Sequence, residues 1–150
     1  MNLYTIGFTK KSARQFFEIL KAHNIDLLLD VRLNNKSQLA GFTKGEDLSY
    51  FLSEICGASY IYGLDFAPTK EILDAYKDKI IQWSDYEKEY FEIIKNRDYC
   101  NQICCKFTET YAKYRNIVLL CSEPTPEKCH RRLAAEAIVK ANPSIHVEHL

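Results

Sequence analysis

Long apolar runs are missing from this sequence: none approaches the ~18 residues that a membrane-spanning helix needs. The opening residues, Met-Asn-Leu-Tyr-Thr-Ile-Gly, also lack the charged segment and long apolar stretch of an export signal, so a cytoplasmic protein without membrane association is expected. An excess of either charge is missing as well. The 20 Lys and Arg side chains balance 20 Asp and Glu, with an isoelectric point near 6.9. A protein that neutralises many phosphates usually shows a basic excess, so extended DNA or RNA binding is disfavoured. A local anion site is not, because two or three arginines can cluster at zero net charge. Repeats, linkers and low-complexity tracts are absent too, and a single domain over residues 1–150 is expected.

Cysteine, in contrast, occurs six times. The chain lacks an export signal, and its 47 % apolar residues suffice for a core of its own, so the thiols are expected to be reduced.

The apolar pattern alternates between short runs and helical spacing. Residues 3–7 and 25–31 read as buried parallel strands. Between them Ser12 and Gln15 form a candidate capping box, followed by Ala13, Phe16, Phe17 and Leu20 at helical spacing, which completes a β-α-β unit. A polar loop covers residues 32–44, including Ser37 and Gln38, and helical spacing resumes at Leu48, Phe51, Leu52 and Ile55. A third strand is expected near residues 58–62 and a helix over 71–83. From Tyr86 to Tyr114 the spacing predicts one long helix or two stacked ones. Residues 116–121 form the clearest strand, which Pro124 and Pro126 stop. Thr125 as N-cap and Pro126 as first helical residue then predict a helix over 126–141, ahead of a last strand at 145–148. The expected class is α/β: a mostly parallel central sheet flanked by helices, with a helical insertion in the middle third.

In such a sheet ligands collect at the carboxyl ends of strands. Two expected strands end informatively, in Asp30-Val31-Arg32 and in Cys121-Ser122-Glu123. Cys129 and His130 fall in the first turns of the last helix, where the positive end of the helix dipole favours a thiolate. Cys121, Glu123, Cys129 and His130 are therefore candidate catalytic residues. Either thiolate could be a nucleophile, His130 a proton carrier, and Glu123 an acid, a base or the orienter of an arginine. Arg32 and Arg131 could grip a carboxylate or phosphate in bidentate fashion, so the expected ligand is an anionic small molecule or a nucleotide.

Plainer roles compete with each of these. Cys121 could simply close a buried strand, His130 lies near the apolar face of Ala134 and Ala137, and Asp30 with Arg32 could be a structural ion pair. Arg132 and Glu136, four apart, read as a surface pair. Cys100, Cys104 and Cys105 lack zinc-site spacing, and core packing is expected of Cys100 and Cys104. The spacing assigns no metal and names no cofactor, although Cys121, Cys129 and His130 stand as an alternative ligand set. A Cys-x5-Arg phosphate loop would need arginine at position 127, where the chain has Glu127.

Taken together, Thr5-Ile6-Gly7-Phe8-Thr9, Leu29-Asp30-Val31-Arg32, and Leu119-Leu120-Cys121-Ser122-Glu123 leading to Cys129-His130-Arg131 resemble the domain of unknown function 488 family over nearly the whole chain. The most specific element is Cys-x-Glu followed shortly by Cys-His-Arg. The resemblance implies a compact α/β domain and places the family's motif positions on Gly7, Asp30, Arg32, Cys121, Glu123, Cys129, His130 and Arg131, with Gly7 joining the arginines on the ligand-binding side. It names no reaction. The chain departs at Phe8, where the family's opening motif often has histidine, and residues 65–114 match only loosely. The expectation is a cysteine-dependent enzyme. The alternatives are a non-catalytic module binding a nucleotide or a nucleic-acid end, a metal-binding domain, and a structural domain whose cluster is a buried polar network.

Overall fold

The structure is a computed structural model that describes residues 1–36 and 40–150. Five parallel strands form one sheet: β1 (Asn2–Gly7), β2 (Leu27–Asp30), β3 (Ser59–Tyr62), β4 (Asn116–Cys121) and β5 (His146–His149), in the spatial order β3-β2-β4-β1-β5. The helices are α1 (Ala13–Ala22), α2 (Gly45–Phe51), α3 (Lys70–Lys77), α4 (Trp83–Asn101), α5 (Phe107–Thr110) and α6 (His130–Ala141). A π-helical turn, Leu52–Cys56, extends α2. Among the described residues, no helix is long and apolar enough to cross a membrane.

Both faces of the sheet are covered, which is why β2 and β4 are apolar along their length rather than alternating. Phe16, Phe17 and Leu20 of α1, with Leu48 and Leu52, pack on Ile6, Leu28, Val118 and Leu120. On the opposite face, Tyr86, Tyr90 and Ile94 of α4 and Leu133, Ala134 and Ile138 of α6 pack on Leu3, Leu27, Leu29, Ile117 and Leu119. The capping box at α1 is present: Gln15 N–H donates to Ser12 Oγ at 3.2 Å, and Ser12 N–H donates to Gln15 Oε1 at 2.8 Å.

Three local expectations change. The helix expected over 71–83 ends at Lys77, and Trp83 instead starts α4, capped reciprocally by Gln82 and Asp85. The long helical region divides at Gln102, whose left-handed backbone (φ 56°) turns the chain toward α5. Cys104 is buried there as expected, but Cys100 is exposed. The last helix begins at His130, with Cys129 as its extended N-cap rather than Thr125. Each residue that precedes a proline is pushed away from helical backbone, so Glu123 and Thr125 keep the segment extended or turned until the prolines are passed. The polar loop after Arg32 holds a short 3-10 turn, Gly41–Thr43, while Ser37 and Gln38 lie outside the described residues.

The strand order positions the site. The chain leaves β2 toward α2 on one face and leaves β4 toward α6 on the other, so the ends of these adjacent strands border a switch point where a parallel sheet opens a crevice.

Candidate functional site

Cys121 is the last residue of β4 and is 4 % exposed. Its thiol stands 3.6 Å from His130 Nδ1 and 3.7 Å from Nε2, so it lies over the face of the ring. His130 Nε2 lies 2.8 Å from the carbonyl oxygen of Val31, just beyond β2. A carbonyl can only accept, so Nε2 carries the proton and Nδ1 keeps its lone pair. Burial lowers the pKa of this imidazole and keeps it neutral. His130 is thus buried and tied to the backbone by Nε2, while its Nδ1 remains a free acceptor.

The two buried thiols shift in opposite directions. The neighbouring Cys129 thiol lowers the Cys121 pKa; against this works burial, and with it work the amides of Ser122 and Glu123 and the charge of Arg131. The pairing with Cys121 and burial raise Cys129 far above a free thiol. Cys121 is therefore the sulfur that ionises first, and Cys129 remains its proton-bearing neighbour.

Arg131 projects from the first turn of α6 into the interior and is completely enclosed. Its Nη1 donates to the carbonyl oxygen of Glu123 at 2.5 Å, whereas Nε and Nη2 have no hydrogen-bond partner among the described residues. Gly7, at the end of β1, makes room for this contact. A Cβ at Gly7 would lie 1.7 Å from the Glu123 oxygen and 3.0 Å from Arg131 Nη1. The Glu123 side chain itself is exposed, so what the structure brings to the cluster is its backbone carbonyl.

Arg32 sits at the end of β2, beside β4, and reaches the same cleft. Its guanidinium is held by Asp30 through Nε at 2.8 Å and Nη2 at 2.6 Å, and Nη2 also donates to Thr43 O at 2.7 Å. Tyr60 donates its hydroxyl at 2.8 Å to Asp30 Oδ2, the oxygen that Arg32 Nη2 also bonds. Burial and the nearby carboxylate raise the Tyr60 pKa, so it stays a neutral donor. Phe8, the departure from the family's opening motif, packs its ring under the Arg32 guanidinium at 5.3 Å. Arg32 is thus clamped, and its grip is spent largely within the protein.

A cleft of about 400 Å³ opens over Cys121, Cys129 and His130. Its far wall carries Tyr76, Trp83 and Tyr86, and its rim carries Lys77 and Lys128. Neither lysine forms an ion pair among the described residues, whereas Lys70 on the same rim pairs with Asp74. Sequence reasoning missed these wall and rim residues as a site; Tyr86 entered that reasoning only through helical spacing. Lys128 adjoins Cys129 and was within reach of it, but Lys77 and Trp83 arrive from distant helices with no local pattern to flag them. Arg132, expected as a surface partner of Glu136, does pair with it at 2.6 Å and also with Glu87 of α4. The three donor atoms of Cys121, Cys129 and His130 all lie within 4.8 Å of one another, so they are also the residues that could hold a metal.

No curated protein and no solved structure matches this chain. The family model described as a domain of unknown function, DUF488, matches residues 12–138, a span that contains Arg32, Cys121, Cys129, His130 and Arg131. With that match extending over most of its 150 residues, the chain belongs to the DUF488 family.

Proposed function

We propose that the protein is an enzyme in which the Cys121 thiolate attacks a small anionic molecule, a nucleotide or a similar planar anion, bound in the cleft. The observation that carries this reading is the enclosed guanidinium of Arg131. A buried charge is costly unless an opposite charge compensates it, and no carboxylate pairs with Arg131 among the described residues. The charge of Arg131 acts on both buried thiols, of which Cys121 is the one shifted toward its anion. In the proposed reaction Cys121 Sγ bonds to the electrophilic centre and the leaving group departs with the bonding pair. His130 Nδ1 then accepts a proton from the water that hydrolyses the adduct and frees the thiolate. Lys77 and Lys128 attract the anion, and Trp83 with Tyr86 offers it an aromatic wall. A reducing, cytoplasmic setting suits a protein whose six cysteines are free thiols.

The test is alkylation of native, chelator-treated protein by iodoacetamide at neutral pH, with each cysteine followed by peptide mass spectrometry. Cys100 is exposed and serves as an internal reference. Cys121 is expected to react at least tenfold faster than Cys100 despite its burial, and a nucleotide that fills the cleft should slow Cys121 alone. If Cys121 reacts more slowly than Cys100 while the protein remains folded, the nucleophile reading is wrong.

A further inference from the structure

We propose that Cys121, Cys129 and His130 form a three-ligand site for a thiophilic divalent cation, zinc being the best fit, and that filling this site silences the Cys121 nucleophile. The silencing rests on the functional reading above; the site stands on geometry alone.

Two sulfurs and one imidazole nitrogen are the donor set zinc prefers, and three protein ligands leave its fourth position open. With Zn–S of about 2.3 Å and Zn–N of about 2.0 Å at the tetrahedral angle, neighbouring S and N ligands stand about 3.6 Å apart and two sulfurs about 3.8 Å apart. Cys121 Sγ is 3.6 Å from His130 Nδ1 but also 3.7 Å from Nε2, so it lies over the ring and must swing toward the Nδ1 lone pair, while no pair among the three donor atoms exceeds 4.8 Å. Side-chain rotation therefore suffices to close the shell. Nε2–H of His130 donates to Val31 O, the outer hydrogen bond that fixes a ligating histidine's tautomer and presents its other nitrogen. All three residues are buried yet line the cleft, so the open position faces the space where the anion is proposed to bind.

Charge points the same way. Two thiolates and a neutral imidazole cancel the two charges of the metal, and the positive charge left over is that of Arg131, whose Nε and Nη2 find no partner among the described residues. An anion at the open position would balance it. While the metal is bound, the Cys121 thiolate shares its charge and one lone pair with it, and the sulfur attacks carbon or phosphorus more slowly.

Metal-free protein is titrated with Co²⁺ and its absorption recorded, then with Zn²⁺ in competition with a chromophoric chelator. The expected result is one equivalent of Co²⁺ with a thiolate charge-transfer band and the visible bands of tetrahedral cobalt, displaced by one equivalent of Zn²⁺. Cys129→Ser and His130→Ala should each weaken Zn²⁺ binding at least tenfold, and Cys100→Ser should leave it unchanged. One equivalent of Zn²⁺ should slow Cys121 alkylation at least tenfold. Absence of the thiolate band from folded wild-type protein, or its retention in folded Cys129→Ser, overturns the site. Slow Cys121 alkylation in metal-free protein that nonetheless binds Co²⁺ overturns the nucleophile reading and its silencing, and leaves the site standing. Rapid alkylation that Zn²⁺ does not slow overturns the silencing.

Discussion

Arg131 brings stability and reactivity into opposition at a single residue. A guanidinium enclosed by protein with one hydrogen bond, to the Glu123 carbonyl, has lost its water without gaining a full set of partners. Replacing such a buried charge with an apolar side chain of similar length is often neutral or stabilising. Arg131→Met is therefore expected to leave the urea midpoint unchanged or to raise stability by about 1 kcal/mol. The same change removes a positive charge that favours the Cys121 thiolate. Less Cys121 is then thiolate at neutral pH, so its alkylation should slow. A variant that loses both stability and reactivity would mean that Arg131 is held for packing. Arg32 behaves differently, because Asp30 and Thr43 occupy its donors on both sides. The two arginines look equivalent in the sequence, and only the contacts separate the clamped one from the uncompensated one.

Among the elements, the end of α4 shows how one side chain can organise a break. Asp98 lies in the last turn, where a negative charge meets the negative end of the helix dipole. It is held there by the amides of Cys104 and Cys105, which donate to Oδ1 at 2.7 Å and 3.1 Å after the chain has turned at Gln102. Burial works to raise the Asp98 pKa, but the bonds from Cys105 and Cys104 outweigh it and the pKa is lowered. A carboxylate with a lowered folded pKa contributes stability above its unfolded value near ~3.9 and loses that contribution as pH falls through the folded pKa. Asp98→Ala should therefore cost about 1 kcal/mol at pH 7, after allowance for solvent screening of a partly exposed group. The difference from wild type should shrink below about pH 4, where the wild-type carboxylate is itself becoming protonated. Thermal melts of both proteins at pH 7 and pH 3.5 check this, and a penalty of equal size at both would show that the charge is not involved.

The same elements show what sequence reveals. The runs Leu27–Leu29 and Ile117–Leu120 were legible as strands because a sheet covered on both faces allows no polar alternation. The Ser12–Gln15 box was legible because its bonds are local. Cys121, Cys129 and His130 were legible as a cluster because a strand end and the following helix start are neighbours in any parallel fold. The start of α6 was misread because Thr125-Pro126 satisfies a helix-start pattern, while residues 126–129 form only an isolated turn, in which Cys129 N–H donates to Pro126 O at 3.2 Å, before the helix begins at His130. The Val31 carbonyl that fixes His130 is backbone and leaves no mark in side-chain pattern. Lys77 and Trp83 depend on which face α3 and α4 take over the sheet, which no short window of sequence specifies.

For the whole molecule, the strand order makes the fold all-or-none. β4 lies between β2 and β1 and hydrogen-bonds to both, so the sheet has no centre until residues 116–121 arrive. Its register partners in β1 are more than 110 positions away, as the pair Asn2 and Asn116 shows, and such non-local contacts form or dissolve together rather than piecemeal. Cys104 and Cys121 report on this from two depths. Cys104 is packed among the residues of the α4–α6 face, and burial pushes its pKa up to about 12. Asn142 also donates to its carbonyl oxygen at 2.8 Å, tying α5's approach to the end of α6. Cys104 also borders a cleft between α4 and α6, but burial keeps its thiol protonated, so it should react fast only when the molecule opens. Alkylation of Cys104 in increasing urea should therefore accelerate with the slope of global unfolding, about 1–3 kcal/mol per molar for a domain of this size. Cys121 is equally enclosed by protein but sits at the floor of an open cleft. Its alkylation by a small reagent should be independent of urea until the midpoint, and a reagent too large for about 400 Å³ should convert it to the slope of Cys104. Parallel slopes for both residues with the small reagent would mean that the cleft does not admit ligands in the native state. A shallow slope for Cys104 would show that the helical face over residues 83–110 opens as a unit of its own.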